Sequence, residues 1–564
     1  MIMSMSSQKF SKDFPPLSAD VIIIGGGATG AGIARDCALR GIDCILLERY
    51  DIATGATGRN HGLLHSGARY AVNDHESAEE CILENKILKR IARHCVEDTK
   101  GLFITLPEDD LNYQKIFIQS CTKAGIEAVP IEPDLARIME PSVNPELIGA
   151  VVVPDGSIDP FRLTSANMLD AREHGAKIFT YCAVTQLIRE GGRVIGTEVY
   201  DHKNKINRRF FAQVIVNAGG IWGQGIAEYA DLKVKMFPAK GALLVMGHRI
   251  NNLVINRCRK PADADILVPG DTICVIGTTS DRIPYDQIDN MIVTPEEVDI
   301  LFREGEKLAP SLRHTRVLRA YAGVRPLVAS DDDPSGRNVS RGIVLLDHAS
   351  RDGLEGFVTI TGGKLMTYRL MAEWATDLVS KKLGKQTVCT TAQELLPGSE
   401  SDQNVPHINK IISLPTPLQI SARYRHGQRA SRLIGKERSD CTLVCECEAV
   451  TAGEVRYAVE ELKVNNLVDL RRRTRVGMGT CQAELCACRA AGLMARFHMA
   501  TPRQSTLQLS SFMEERWRGI EPIAWGEAIR EAEFSSWIYY SLLGLNSVQS
   551  LTEQAQQGTD GNEI

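Results

Sequence analysis

Asp20-Val-Ile-Ile-Ile-Gly25-Gly-Gly-Ala-Thr-Gly30 is the stretch whose reading decides the fold. Its β-branched run reads as a buried strand, and the G-x-G-x-x-G spacing of Gly25, Gly27 and Gly30 reads as a tight turn into a helix over Ala31–Arg40. A second apolar strand, Ile42–Leu47, ends at Glu48. Gly25 allows the turn, Gly27 lets a backbone approach a pyrophosphate, and Gly30 lets the helix pack on the strand. Free N–H groups at the helix mouth would meet phosphates, and Glu48, about 20 residues on, would accept from ribose hydroxyls. The expected cofactor contacts from this unit are Asp20, Gly25, Gly26, Gly27, Ala28, Thr29, Gly30, Glu48 and Arg49.

Outward from this unit, helical stretches (76–94, 163–174) alternate with β-rich ones (148–153, 194–200, 214–217, 273–278, 342–346). This predicts an α/β chain in which a Rossmann-like nucleotide-binding half is interleaved with a mainly antiparallel second sheet. A length of 564 residues allows several domains and a core that needs no disulfides. Lys+Arg 65 against Asp+Glu 70 leaves a net charge of −5, which argues against a nucleic-acid binder. No apolar run is long enough to span a bilayer, and the polar leader lacks the apolar core of a signal peptide, so a cytoplasmic protein is expected.

Val214-Ile-Val-Asn-Ala218-Gly219 is another apolar strand ending in small residues, and with the motif's N-terminal position it favours FAD over NAD. The 15 cysteines are unevenly spread. Those from Cys37 to Cys389 sit amid apolar residues, while the rest cluster between Cys441 and Cys488. Among the latter, Cys445-x-Cys447 and Cys481-x4-Cys486 offer four thiolates from two turns, suited to a [2Fe–2S] cluster or a tetrahedral zinc ion. Neither pair has the C-x2-C spacing zinc prefers. Gly477 and Gly479 would let backbone N–H groups approach the sulfurs; Cys441 and Cys488 are spare. Leu470–Arg475 reads as a partner-docking patch or a solvated basic loop. The resulting division is an oxidoreductase unit at 18–395, a polar linker at 396–440, a cysteine module at 441–495, and an extension at 496–564 ending in a disordered tail.

Five further segments occur in a telling order: Thr57-Gly-Arg-Asn-His61-Gly-Leu-Leu-His65-Ser-Gly-Ala-Arg69-Tyr70, Pro238-Ala-Lys240-Gly241, Ile276-Gly-Thr-Thr-Ser280, Ala322-Gly-Val-Arg325-Pro326 and Gly362-Gly363-Lys364-Leu-Met-Thr367-Tyr-Arg369. They resemble the motifs of FAD-dependent glycerol-3-phosphate dehydrogenases. With the cysteine module and 512–526, residues 20–545 resemble the A subunits of the bacterial anaerobic members. The resemblance implies oxidation of sn-glycerol 3-phosphate to dihydroxyacetone phosphate, with FAD and a BFD-like [2Fe–2S] module. It also implies a flavin-containing B subunit, an iron–sulfur C subunit that serves as membrane anchor, and a peripheral place on the cytoplasmic face of the inner membrane. Electrons would pass to the quinone pool.

On residues, the resemblance adds Thr57, Ala218, Gly219, Gly362, Gly363 and Lys364 to the cofactor contacts, and places Arg69, Arg325 and Arg341 on the substrate. A fixed arginine fork is the side chain that holds a phosphate best. The base that takes the hydroxyl proton is expected to be His65, with His61 second. Aerobic relatives carry a histidine where this chain has Leu243, so Lys364 or Arg325 is the cationic alternative. Competing readings are a flavin dehydrogenase of an unphosphorylated 2-hydroxy acid and a non-catalytic flavin/iron–sulfur carrier.

Overall fold

A computed structural model describes residues 14–328, 342–400, 416–430 and 437–546. The decisive strand, Leu17–Ile24, lies at the centre of a parallel array in the order 177–180, 44–48, 17–24, 206–217, 357–362. Its side chains serve two cores. Val21 and Ile23 pack with Ala31, Ala34, Met371 and Ala372 of the helices Ala28–Leu39 and Tyr368–Lys382. Ile22 and Ile24 face the opposite core with Leu47, Val199 and Phe357. Burial on both faces explains a continuous β-branched run where a half-exposed strand would alternate. Gly32 lets the first helix approach closely: a Cβ there would lie 2.9 Å from Tyr368 and 3.0 Å from Ala372.

The second sheet has nine strands and is antiparallel except where Val254–Arg257 runs parallel to Gly101–Thr105. Its longest pairing joins Met236–Met246 to Val317–Val328, from Met236↔Val328 to Met246↔Val317. This is the interleaved architecture expected from the sequence. Among the described residues no helix is long and apolar enough to cross a membrane.

Three expectations need correction. Part of the segment read as a linker is the helix Thr416–His426. Arg425 there donates to buried Glu454 at 2.8 Å and to Glu448 O at 2.7 Å, so charge pairing pins this polar stretch to the cysteine module. The region after 495 is not a separate extension, because Phe512, Met513, Tyr539 and Leu545 complete the core formed by Val444, Val455, Leu470 and Ala490. The tail expected to be disordered falls at 547–564, outside the described residues. Finally, the basic run is neither a docking patch nor a solvated loop. It ends the helix Leu467–Thr474, with Arg471 and Arg473 buried and ion-paired at 2.9 Å to Glu515 and 2.6 Å to Asp51.

Candidate active site

The nucleotide turn takes the shape its glycines permit. Gly25 has φ +116°, and a Cβ there would stand 2.5 Å from Ala218 O; a Cβ on Gly30 would overlap Gly25 O. Ala218 N donates to Ile24 O, which holds the 214–219 strand end, with Gly219, beside the turn. Glu48 accepts from Gly26 N at 2.6 Å and Tyr50 N at 2.9 Å, and its burial pushes the carboxyl pKa up. Thr57 Oγ1 accepts from Ala28 N at 3.0 Å, across the helix mouth.

A cavity of about 910 Å³ opens from this turn. Ala28, Thr29 and Thr57 line one end; Gly362, Gly363 and Lys364 stand on another wall. Gly362 and Gly363 adopt φ +81° and +66°, a left-handed turn that leads into the helix Tyr368–Lys382. The helix mouth, the acidic acceptor and a cavity of this size suit a dinucleotide. One expected contact lies elsewhere. Asp20 sits towards the start of its strand and pairs with Lys385 at 2.6 Å, so strand length carries it away from the turn. Arg49, next to Glu48, stacks over Trp222 at 4.4 Å and pairs with Asp289 at 2.6 Å.

The reacting end gathers His61, His65, Arg69, Tyr70, Arg325 and Lys364. His65 is buried, its ring 5.9 Å from His61 and 5.3 Å from Tyr70. Lys364 Nζ lies 4.6 Å over the same Tyr70 ring. Tyr70 therefore spaces the histidine from the lysine, a role that its position beside Arg69 did not reveal. Arg69 Nη2 donates to Asp265 Oδ2 at 3.0 Å and Ala262 O at 3.3 Å, while its buried Nη1 has no hydrogen-bond partner among the described residues. Burial alone would raise the Asp265 carboxyl, but the Arg69 and Arg259 guanidiniums outweigh it and hold the pKa below its ordinary value.

Arg325 lines the cavity but braces its wall. Nη2 donates to Thr278 Oγ1 at 2.5 Å and Thr279 O at 3.0 Å, and Nη1 reaches Ser280 Oγ and Lys240 O, both at 3.3 Å. Arg341 lies outside the described residues. Lys240 is buried with Glu297 at 2.8 Å, a structural pair that explains the conspicuous motif lysine without chemistry. Tyr321, overlooked in the sequence, donates to Asn60 O at 2.8 Å and ties the long strand to the 57–61 segment.

In the cysteine module the four thiols meet as two pairs. The neighbouring Cys486 thiol is the main cause that lowers the Cys445 pKa to about 6, and Cys481 is the neighbour of Cys447. Gly477 N–H also points at Cys445, and Cys481 N–H at Cys447. Among the described residues no three of His, Cys, Asp or Glu surround a single point. Two pairs, with backbone donors at the sulfurs, fit a two-iron cluster, in which each iron takes two thiolates, better than one tetrahedral ion. A Cβ on Gly479 would overlap Cys447 Cβ, so glycine is required for the turns to close. Cys441 is half-buried and Cys488 exposed.

The FAD dependent oxidoreductase family matches residues 20–369, and the BFD-like [2Fe-2S] binding domain matches 443–496. The chain is 80% identical over 564 residues to the A subunit of the anaerobic glycerol-3-phosphate dehydrogenase of Haemophilus influenzae, covering 100% of both. It is 70% identical to the corresponding Escherichia coli K12 protein over 94% of this chain and 98% of that one. A glycerol-3-phosphate dehydrogenase from Bacillus halodurans, solved with FAD, superposes with a TM-score of 0.66 at 23% identity, over 90% of this chain and 97% of that one. That last likeness speaks for the fold. FAD and a [2Fe–2S] cluster are thus the cofactors of the two matched units. The chain belongs to the FAD-dependent oxidoreductases, in the family of anaerobic glycerol-3-phosphate dehydrogenase A subunits.

Proposed function

We propose that this chain oxidises sn-glycerol 3-phosphate to dihydroxyacetone phosphate and passes the electrons to partner subunits and the quinone pool. The observation that carries the reading is the meeting of Arg69, His65 and Lys364 in the cavity that opens from the nucleotide turn. The Arg69 guanidinium, which lines the cavity, binds a phosphate oxygen, with Arg325 shaping the wall beside it. His65 takes the proton from the C2 hydroxyl, and the Tyr70 ring orients it. FAD, when bound, accepts the hydride from C2. Lys364, with the N-terminus of the helix behind it, places positive charge against that acceptor.

Glu48, Thr57 and the 25–30 turn hold the nucleotide, and Cys445, Cys447, Cys481 and Cys486 hold the cluster. The partners are a flavin-containing second subunit, together with an iron–sulfur third subunit that anchors the assembly on the cytoplasmic face of the inner membrane. The test is an anaerobic spectral titration of the purified chain. Loss of the flavin band with sn-glycerol 3-phosphate, and its persistence with 2-hydroxyglutarate, is the expected result. Bleaching by 2-hydroxyglutarate alone would overturn the substrate assignment, and bleaching by neither, with partners present, would overturn the reading as a dehydrogenase.

A further inference from the structure

The turns that carry the cysteines do not merely follow the flavin unit in the chain; they are seated on the rim of the sheet that walls its cavity. Thr480, next to Cys481, donates through Oγ1 to Gly247 O at 3.3 Å. Gly247 directly follows the strand Met236–Met246, whose Gly241 and Leu243 line the cavity. Glu448, next to Cys447, accepts from Thr272 Oγ1 at 2.6 Å. Arg475 joins the two sides, with Nε on Glu448 Oε2 at 2.9 Å and Nη1 on Asp271 Oδ2 at 2.7 Å. Asp271 also receives Arg162 Nη2 on both oxygens at 3.1 Å. All three ionic partners are nearly buried: side-chain exposure is 11% for Arg475, 9% for Asp271 and 2% for Glu448.

The register explains what this seat achieves. Leu243 pairs with Gly277 and Met246 with Cys274, so Gly247 and Asp271–Thr272 share one end of the strands and Leu243 with Thr278 the other. Four residues at about 3.4 Å each separate the cluster rim from the cavity wall along Met236–Met246, roughly 14 Å. Arg475 itself has φ +68° as the C-cap of Leu467–Thr474, a left-handed conformation that a non-glycine residue adopts at a cost. The cap aims its guanidinium back at both carboxylates.

We infer that Asp271 and Arg475 form a positioning latch that holds the cluster turns against the cavity sheet, so that electrons cross this rim from flavin to cluster. The inference rests on the functional reading above and deepens it. Neither residue touches substrate or cofactor; they act through Glu448 on the turn beside Cys447, and the Thr480 bond to Gly247 O holds the turn beside Cys481 to the same rim. The electron count closes: three substrate molecules supply six electrons to two chains, two on each flavin and one on each cluster, and the protons follow the flavin and the base.

The test is rapid anaerobic mixing of the holoprotein with sn-glycerol 3-phosphate, following flavin and cluster bands separately, for wild type and Asp271→Asn. The latch predicts flavin reduction at the wild-type rate and cluster reduction slowed about tenfold or more, since an unpaired buried charge loosens the seat. Iron content and the electron paramagnetic resonance spectrum after dithionite remain those of wild type, which separates a misplaced cluster from a lost one. Should Asp271→Asn lose its cluster, Thr272→Val removes only the bond to Glu448 and carries the same prediction with a smaller slowing. In a second arm the flavin is reduced by light and EDTA instead of substrate. Slow cluster reduction there upholds the latch even if the substrate assignment fails. Wild-type rates of cluster reduction in both variants would overturn it.

Discussion

Replacing Arg69 by lysine separates the two tasks of this side chain. In the wild type Nη2 is committed to Asp265 and Ala262 O, while Nη1 is buried with no hydrogen-bond partner among the described residues. Lysine keeps a positive charge opposite Asp265 but has no planar fork with which to hold a carboxylate and a phosphate together. Asp265 remains compensated, because Arg259 reaches Oδ1 through Nε at 3.1 Å and Nη2 at 2.7 Å, and Ala262 N reaches Oδ2 at 2.6 Å. The fold should therefore lose about 1 kcal/mol or less. The substrate loses a charge-assisted hydrogen bond worth about 1.5–3 kcal/mol, or about 10- to 150-fold in kcat/KM. A contact to the non-reacting phosphate is made equally in ground and transition states, so the loss falls on KM and leaves kcat near wild type. Anaerobic dye reduction with sn-glycerol 3-phosphate, compared with glycerol as a phosphate-free substrate, reads this directly. An unchanged KM for the phosphorylated substrate, or an equal loss with glycerol, would refute the assignment of Arg69 to phosphate.

Three other outcomes follow from the same geometry. Gly30→Ala should yield protein without flavin absorbance, because the new methyl overlaps Gly25 O, whereas Gly492→Ala, with open space around its Cβ, should retain the flavin and gain up to about 1 kcal/mol of helix stability. Asp51 and Arg473 form a two-bond pair at 2.6 and 2.9 Å with both side chains nearly fully buried. Asp51→Asn should then cost about 3–5 kcal/mol in denaturant unfolding, and Asp51→Asn with Arg473→Leu should recover part of it, unlike two independent losses. The Asp271 carboxyl, which burial alone would raise, is instead lowered to about 2 by Arg162 and Arg475. Its folded pKa lies below its unfolded one, so it adds about 2 kcal/mol above pH 4 that is lost as pH falls towards 2. Urea midpoints measured across that window should fall less steeply in Asp271→Asn than in wild type.

The cofactor half was legible because its chemistry is local. The turn at 25–30 and Glu48 lie close in sequence, and their backbone requirements leave few alternatives to the residues present, whereas Thr57 came from the family resemblance. The cysteine pairs were legible for the same reason, their spacing being a statement about two short turns. Arg325 was legible as a cavity residue but not as the brace of Thr278–Ser280, since its partners come from the strand Met236–Met246 and from the loop at 278–280. Asp20 illustrates the opposite error: adjacency to the motif suggested contact, and strand geometry carried it to Lys385.

By itself the sequence determined a strand–turn–helix that binds a dinucleotide, a mainly antiparallel companion sheet and a four-thiol module, because the turn and the thiol pairs are encoded by spacing within short segments and the sheet by a succession of β-rich runs along the chain. Only the tertiary structure decided how these parts meet. Arg471, Arg473 and Arg475 read as a solvated or docking run because their carboxylate partners, Glu515, Asp51 and Asp271, lie in elements distant along the chain. The placing of Arg69, whose Nη1 has no hydrogen-bond partner among the described residues, likewise depends on where Asp265 falls after two sheets have folded. Charge pairing at close range acts through space, and a linear pattern carries no distance between residues that approach only when strands from opposite halves of the chain pair.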